Sequence, residues 1–163
     1  MDKNLCNFIL SELLADNSHN HNRLFIYGNR REISAILGSF ESQYRKAFPD
    51  RYVSRTNGDA FINTVISSCK QRTESENANM PDGLDSLVES ELLIFEDVDS
   101  LAGFQTSMER LYFIIDRLFE RGRTVIFTAE VPPAEIKQME NRNISQFEGC
   151  IVLGLTPKQC TGG

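Results

Sequence analysis

The chain has no apolar run that approaches the length of a membrane span, and its start, Met1-Asp2-Lys3-Asn4-Leu5, has no apolar signal core. Neither a membrane helix nor a secretory leader is expected, and the expected location is the cytoplasm. Paired cysteines are missing as well. Cys6, Cys69, Cys150 and Cys160 lie far apart with no C-x-x-C among them, which argues against a structural zinc site. Cys69 and Cys150 sit in apolar patterns and read as buried thiols of a cytosolic protein. Histidine is scarce: His19 and His21 form an H-x-H in the polar stretch 16–22, where no third metal ligand is indicated. That stretch reads as a solvated loop, and two histidines in one loop suggest no Ser–His–Asp arrangement. Positive charge is also in short supply, with 17 basic against 23 acidic residues and a net charge of −6. Nonspecific nucleic-acid binding draws its affinity from basic side chains displacing counterions, so an acidic chain is a poor candidate for it.

What is present fits one domain with a substantial core: 163 residues, 40% apolar and 25% charged. Leu5, Phe8, Ile9 and Leu13 recur at helical spacing and predict an amphipathic helix over about 3–15. Leu24 to Tyr27 reads as a first buried strand. Ile33, Ile36, Leu37, Phe40 and Tyr44 form a helical stripe closed by Pro49. Arg51 to Ser54 reads as a short second strand, and Phe61, Ile62, Val65, Ile66 and Cys69 as a helix capped near Asn57 or Asp59. Residues 71–82 are polar without period and read as a loop. Leu92-Leu93-Ile94-Phe95 has the continuous apolar character of a central strand covered on both faces. Met108, Leu111, Tyr112, Ile115, Leu118 and Phe119 make the clearest stripe, with Gly122 placed to stop it. Thr124 to Thr128 is another strand, Pro132-Pro133 opens a short helix to about Met139, and Ile151 to Leu153 is the last strand. Strands alternating with helices predict an α/β fold, a five-stranded parallel sheet sandwiched by helices and joined by right-handed crossovers. The expected organisation is one domain over 1–163: an N-terminal helix and polar loop (1–22), a core (23–157) and a tail (158–163).

The strand ending on Gly28 should open a phosphate loop, and the residues for one are absent. A loop of the pattern G-x-x-x-x-G-K-[ST] needs glycines so that backbone N–H groups can wrap phosphates, a lysine for the outer phosphates and a hydroxyl for magnesium. Counted from Gly28 without a gap, those three places fall on Ile33, Ser34 and Ala35. The alternative is that Asn29-Arg30-Arg31 opens a shorter turn at a helix N-terminus, where free N–H groups favour anions.

Five segments in order, between about Leu24 and Pro157, resemble the ATPase domain of DnaA-type replication initiators and the related Hda-type regulators, within the AAA+ class of P-loop folds. They are LFIYG (24–28), YVS with FIN (52–54, 61–63), LLIFEDVDSLAG (92–103), VIFTAEVPPAEI (125–136) and MENRNISQFEGCIVLGLTP (139–157). The family's helical lid and DNA-binding domain would lie beyond Gly163. The resemblance places Glu96 and Asp97 at the family's acidic pair, of which the first holds magnesium through water and the second polarises the attacking water. The plainer reading, preferred here, is an acidic strand end exposed at the sheet's carboxyl edge. Ala129-Glu130 falls where the family has polar sensor residues. Arg142 matches the first arginine of its R-x-R-x-R stretch. The third position, the finger that reaches a neighbouring subunit's nucleotide, is Gln146, which carries no charge to stabilise a phosphoryl transition state.

With both halves of a shared ATP site altered, the resemblance implies a pseudo-ATPase with no resident cofactor. Its expected role is a protein-interaction module in replication initiation or its regulation, with a replication initiator as partner. Two alternatives are a switch that binds ATP or ADP with magnesium without turnover, and a single-stranded-DNA accessory domain. The last is disfavoured: Lys70, Arg72, Glu74 and Glu76 leave the relevant region near neutral, aromatic stacking groups are absent from 71–82, and the cluster of Arg45, Lys46, Arg51 and Arg55 reads as a solvated face.

Overall fold

The computed structural model describes residues 3–16, 22–71 and 82–155. The elements run α1 (Lys3–Leu14), β1 (Arg23–Gly28), α2 (Arg30–Ala47), β2 (Val53–Asn57), α3 (Gly58–Gln71), α4 (Asp82–Val88), β3 (Leu92–Glu96), α5 (Gln105–Glu120), β4 (Thr124–Ala129), α6 (Asn141–Glu148) and β5 (Ile151–Leu155), with 3-10 turns at Val98–Leu101 and Pro133–Glu135. The five strands form one parallel sheet in the order β2-β3-β4-β1-β5. The predicted α/β architecture is therefore the observed one.

Side chains alternate across a strand, so the sheet feeds two cores. Leu24, Ile26, Leu92, Ile94 and Ile126 face α1 and α2, while Phe25, Leu93, Phe95, Val125 and Phe127 face α3 to α6. The central strands are buried on both faces, which is why β3 and β4 appear in the sequence as unbroken apolar runs. Chain order reverses beside β1, so the carboxyl ends of β1, β3 and β4 line the crevice where open α/β sheets place their ligands.

Several elements depart from the sequence expectation. On α1 the buried stripe is Cys6, Ile9, Leu10 and Leu13, while Leu5 and Phe8 stand 45% and 55% exposed. The second strand begins at Val53 rather than Arg51. Arg51 instead stacks on Phe48 and bonds the Tyr44 hydroxyl, and the polar Arg55, Thr56 and Asn57 extend an edge strand that packing, not hydropathy, defines. Two helices had no predicted counterpart: α4, held by buried Leu84, Leu87 and Val88, and α6, held by Phe147. The Pro-Pro segment makes one 3-10 turn only, because Ile136 is extended and Gln138 takes a left-handed conformation before Met139. His19, His21, Cys160 and most of the loop 71–82 lie outside the described residues, as does the Cys69 side chain. No described helix is long and apolar enough to cross a membrane.

Candidate functional site at the carboxyl edge of the sheet

Strand β1 passes into α2 through a single residue. Gly28 ends the strand with φ +139°, Asn29 follows in an extended conformation, and Arg30 opens the helix. The Asn29 side chain accepts a hydrogen bond from the Glu32 N–H at 3.0 Å, capping the helix and using one of the donors that an anion would need. Ile33, Ser34 and Ala35 are not loop residues but part of the early turns of α2, with Ile33 buried in the core. The gapless count from Gly28 therefore does not correspond to a loop in the structure; the chain makes the shorter turn.

Two arginines close the acidic pair. Arg30 donates through Nε at 3.0 Å and Nη2 at 2.6 Å to one carboxylate oxygen of Asp97. Arg55 donates through Nε to Glu96 at 2.6 Å, through Nη1 to Glu41 at 3.0 Å, and through Nη2 to the Ser34 carbonyl and hydroxyl at 3.3 and 3.2 Å. These bonds engage all three guanidinium nitrogens of Arg55, tying β2 to β3 and α2. Glu41 also accepts from Arg45 at 2.9 Å. Burial pushes the Glu41 carboxyl up, but the bonds and charges of Arg55 and Arg45 outweigh it and hold the group below the usual carboxylate value. The guanidinium of Arg55 is shifted up by its bond to Glu96, against the opposing effect of burial, and Arg30 is shifted up by its bond to Asp97.

Glu96 and Asp97 are thus not the exposed strand end expected from the sequence: each carboxylate is 16% exposed and ion-paired. Asp97 sits in a left-handed conformation, φ 54° and ψ 47°, and its N–H donates to the Thr128 hydroxyl at 2.9 Å. Thr128, at the buried end of β4, was not singled out in the sequence, nor was Glu41; Asp99, beside Glu96 and Asp97, reads from sequence only as one of several unspecific acids at a strand end, and Arg55 was assigned only to a basic surface. Glu41 lies 14 residues from Arg55 and Thr128 lies 31 from Asp97, and only the packing of helix and sheet joins them. Ala129 is buried, and the Glu130 N–H donates to Asp99 at 3.2 Å.

The basic cluster is not a freely solvated face either. Arg45 pairs with Glu41, Arg51 with Asp16 at 3.0 Å, and Arg55 as described; Lys46 remains exposed. The arginine-bearing segment, α6, packs on α5. Arg142 lies over the Tyr112 ring at 4.5 Å, and Gln146 donates to the Tyr112 carbonyl at 3.0 Å. The structure therefore joins Gly28, Asn29, Arg30, Glu96, Asp97 and Glu130 around one edge and places Arg142 and Gln146 on a separate helix surface. Among the described residues no group of three or more His, Cys, Asp or Glu side chains is arranged to hold a metal ion.

Comparison with known proteins agrees with the fold. The chromosomal replication initiator DnaA of Thermoanaerobacter sp. (strain X514) is 23% identical over 141 residues, covering 84% of this chain and 30% of the initiator. The chain thus spans less than a third of that relative. AMPPCP-bound DnaA from Aquifex aeolicus superposes with a TM-score of 0.80 at 21% identity, over 93% of this chain and 45% of that one. The DnaC helicase loader shares the fold more distantly, with a TM-score of 0.71 at 11% identity over 94% of this chain and 90% of the loader. The family model of the bacterial DnaA ATPase domain matches residues 2–154, and the chain belongs to that family.

Proposed function

We propose that this domain does not turn over ATP and acts as a protein-interaction module in replication initiation or its regulation, with a replication initiator as its partner. One observation carries the reading. The two acids at the strand edge are taken up by Arg30 and Arg55, while a single helix-capping residue, Asn29, stands where a phosphate loop would have to wrap a nucleotide. Phosphoryl transfer depends on positioned phosphates, a cation and unbalanced charge at the reacting centre. An edge whose carboxylates are already neutralised from within offers little to any of these. Gln146 adds to the reading, since its amide is spent on the Tyr112 carbonyl. The membership in an initiator family, together with a retained sheet and helices, supports docking onto a replication protein as the remaining role.

The test is thermal unfolding with and without millimolar ATP–Mg²⁺ or ADP–Mg²⁺, alongside phosphate release and a pull-down with a purified initiator. A ligand at a hundred times its Kd stabilises the native state by about 2.7 kcal/mol. That is a rise in Tm of about 5–10 °C for a domain this size. The expected result is no rise, no phosphate release and retention of the initiator. Phosphate release would overturn the reading. A rise without release, lost in an Arg30/Arg31 double-alanine variant, would replace it with a nucleotide-responsive switch.

A further inference from the structure

Helix α5 has two faces. Met108, Leu111, Ile114, Ile115 and Leu118 are buried in the core. On the outer side Arg110, Phe113, Arg117 and Glu120 recur at spacings of three, four and three, which is the seam by which one helix packs along another. Phe113 stands in the middle of that seam and is 51% exposed. Its ring is steadied at the surface by Tyr112, with centroids 5.5 Å apart, and by the Arg142 guanidinium at 5.6 Å. Beside it lies a cleft of about 340 Å³, lined by buried Leu84 and Ile114 and by Phe113 and its charged neighbours. One face thus carries both a projecting aromatic ring and a hollow. The charges around them are unspent. Arg30, Arg45, Arg51, Arg55, Arg121 and Arg123 each have a carboxylate partner, whereas among the described residues Arg110, Asp116, Arg117 and Glu120 form no ion pair.

We propose that this stripe docks a second copy of the chain, the two α5 helices packing antiparallel about a two-fold axis. Arg110 of each copy then meets Glu120 of the other, and each Phe113 seats in the other's cleft against Arg117. The order of charges along the seam selects this occupant. Two arginines and two acids sum to zero, so the stripe exerts no net pull on a strongly charged partner and is matched only by a surface of mixed sign. Reversing the stripe supplies that surface: a register that sets position 110 against 120 also sets 113 against 117, which pairs opposite charges at both ends and an aromatic face with a guanidinium in the middle. A parallel pairing about a two-fold axis would set arginine on arginine and glutamate on glutamate. A ring and a hollow on one face meet the requirement of an isologous contact, in which each copy gives what it receives. None of these residues belongs to the strand edge, so loss of the dimer would leave the functional reading untouched.

The experiment is sedimentation velocity on the whole chain from about 10 μM to about 1 mM, a range that reaches weak complexes. The unaltered protein is expected to pass from monomer to dimer within it, and less readily as salt is raised. Phe113→Asp should stay monomeric. Arg110→Glu and Glu120→Arg each set like charges opposite one another and should weaken the dimer at least about tenfold. The double variant Arg110→Glu/Glu120→Arg restores opposite charges in the same register and should dimerise within about threefold of the parent. All of these changes alter surface side chains, and circular dichroism should show the parent's fold in each. Should Phe113→Asp not fold, Phe113→Ser carries that arm. A parent that is monomeric throughout overturns the proposal; if Phe113→Asp then also lost the replication initiator in a pull-down, the stripe would belong to that protein instead. A dimer indifferent to Phe113→Asp, or one that the double variant does not restore, overturns it as well.

Discussion

Replacing Gly28 with alanine tests whether this glycine serves the strand pairing, and Gly122 offers an internal control. Both have positive φ, +139° and +68°, so both substitutions carry backbone strain. At Gly122 a new Cβ meets nothing within 4 Å. The whole cost there is conformational, about 1–2 kcal/mol. Gly122 sits just past α5, whose end is closed by bonds from the Gly122 and Arg123 N–H groups to the Phe119 and Leu118 carbonyls, and Ala would keep both. At Gly28 the new Cβ would lie 2.7 Å from the Leu155 carbonyl carbon and closer still to its oxygen. Leu155 is the strand partner of Gly28, so the obstacle is backbone in a ladder, not the end of a flexible side chain. Relief requires β5 to move away from β1. Strain of about 1–3 kcal/mol plus an overpacking cost of about 1–3 kcal/mol gives about 2–6 kcal/mol. That is a large part of a typical domain's stability of about 5–15 kcal/mol. Urea unfolding of the two variants and the parent, compared at unchanged m, reads the difference directly. A Gly28→Ala variant no less stable than Gly122→Ala would refute the assignment of Gly28 to the β1–β5 contact.

Phe147 is fully buried against Phe127 and Phe25, with ring centroids at 4.8 and 5.4 Å, and is the main anchor of α6. Phe147→Ala is expected to cost about 3–5 kcal/mol and Phe147→Leu less than half of that; calorimetry giving equal losses would contradict the anchoring. Glu41 supplies a pH dependence. Its folded value lies below the ordinary 4.5, so its pairing stabilises the fold above about pH 4.5 and is lost as the pH falls through the folded value. The stability gap between the parent and Glu41→Gln should therefore be constant near neutrality and shrink below about pH 4.5, and a gap that widens on acidification would refute the ion-pair account.

The central elements were legible because burial on both faces writes itself into composition. Leu92 to Phe95 and Thr124 to Phe127 can only be interior strands, and α5 carries an uninterrupted stripe with a stop signal at its end. Elements whose burial is small were not. Three apolar contacts suffice for α4, and α6 is fixed by Phe147 and by the buried amide of Asn143 bonding the Met108 carbonyl. Neither offers a long period. On α1 the exposed Leu5 and Phe8 match a helical spacing as well as the buried set does, so hydropathy alone could not choose the inward face.

By itself the sequence determined the alternating α/β order, the parallel sheet, the family resemblance and the absence of the phosphate-loop residues after Gly28, because each is a statement about residue types along the chain. It also placed two acids at the end of β3. Their surroundings were decided by tertiary structure alone. Arg55 is 41 residues from Glu96 and Arg30 is 67 from Asp97, and nothing in local pattern pairs them. Strand register brings Arg55 beside Ile94 on β3, within side-chain reach of Glu96 two residues on. The abrupt β1–α2 turn carries Arg30 over Asp97. Charge neutralisation acts through space and depends on where side chains end up, so an acidic pair that looks open in sequence is closed once the sheet is assembled.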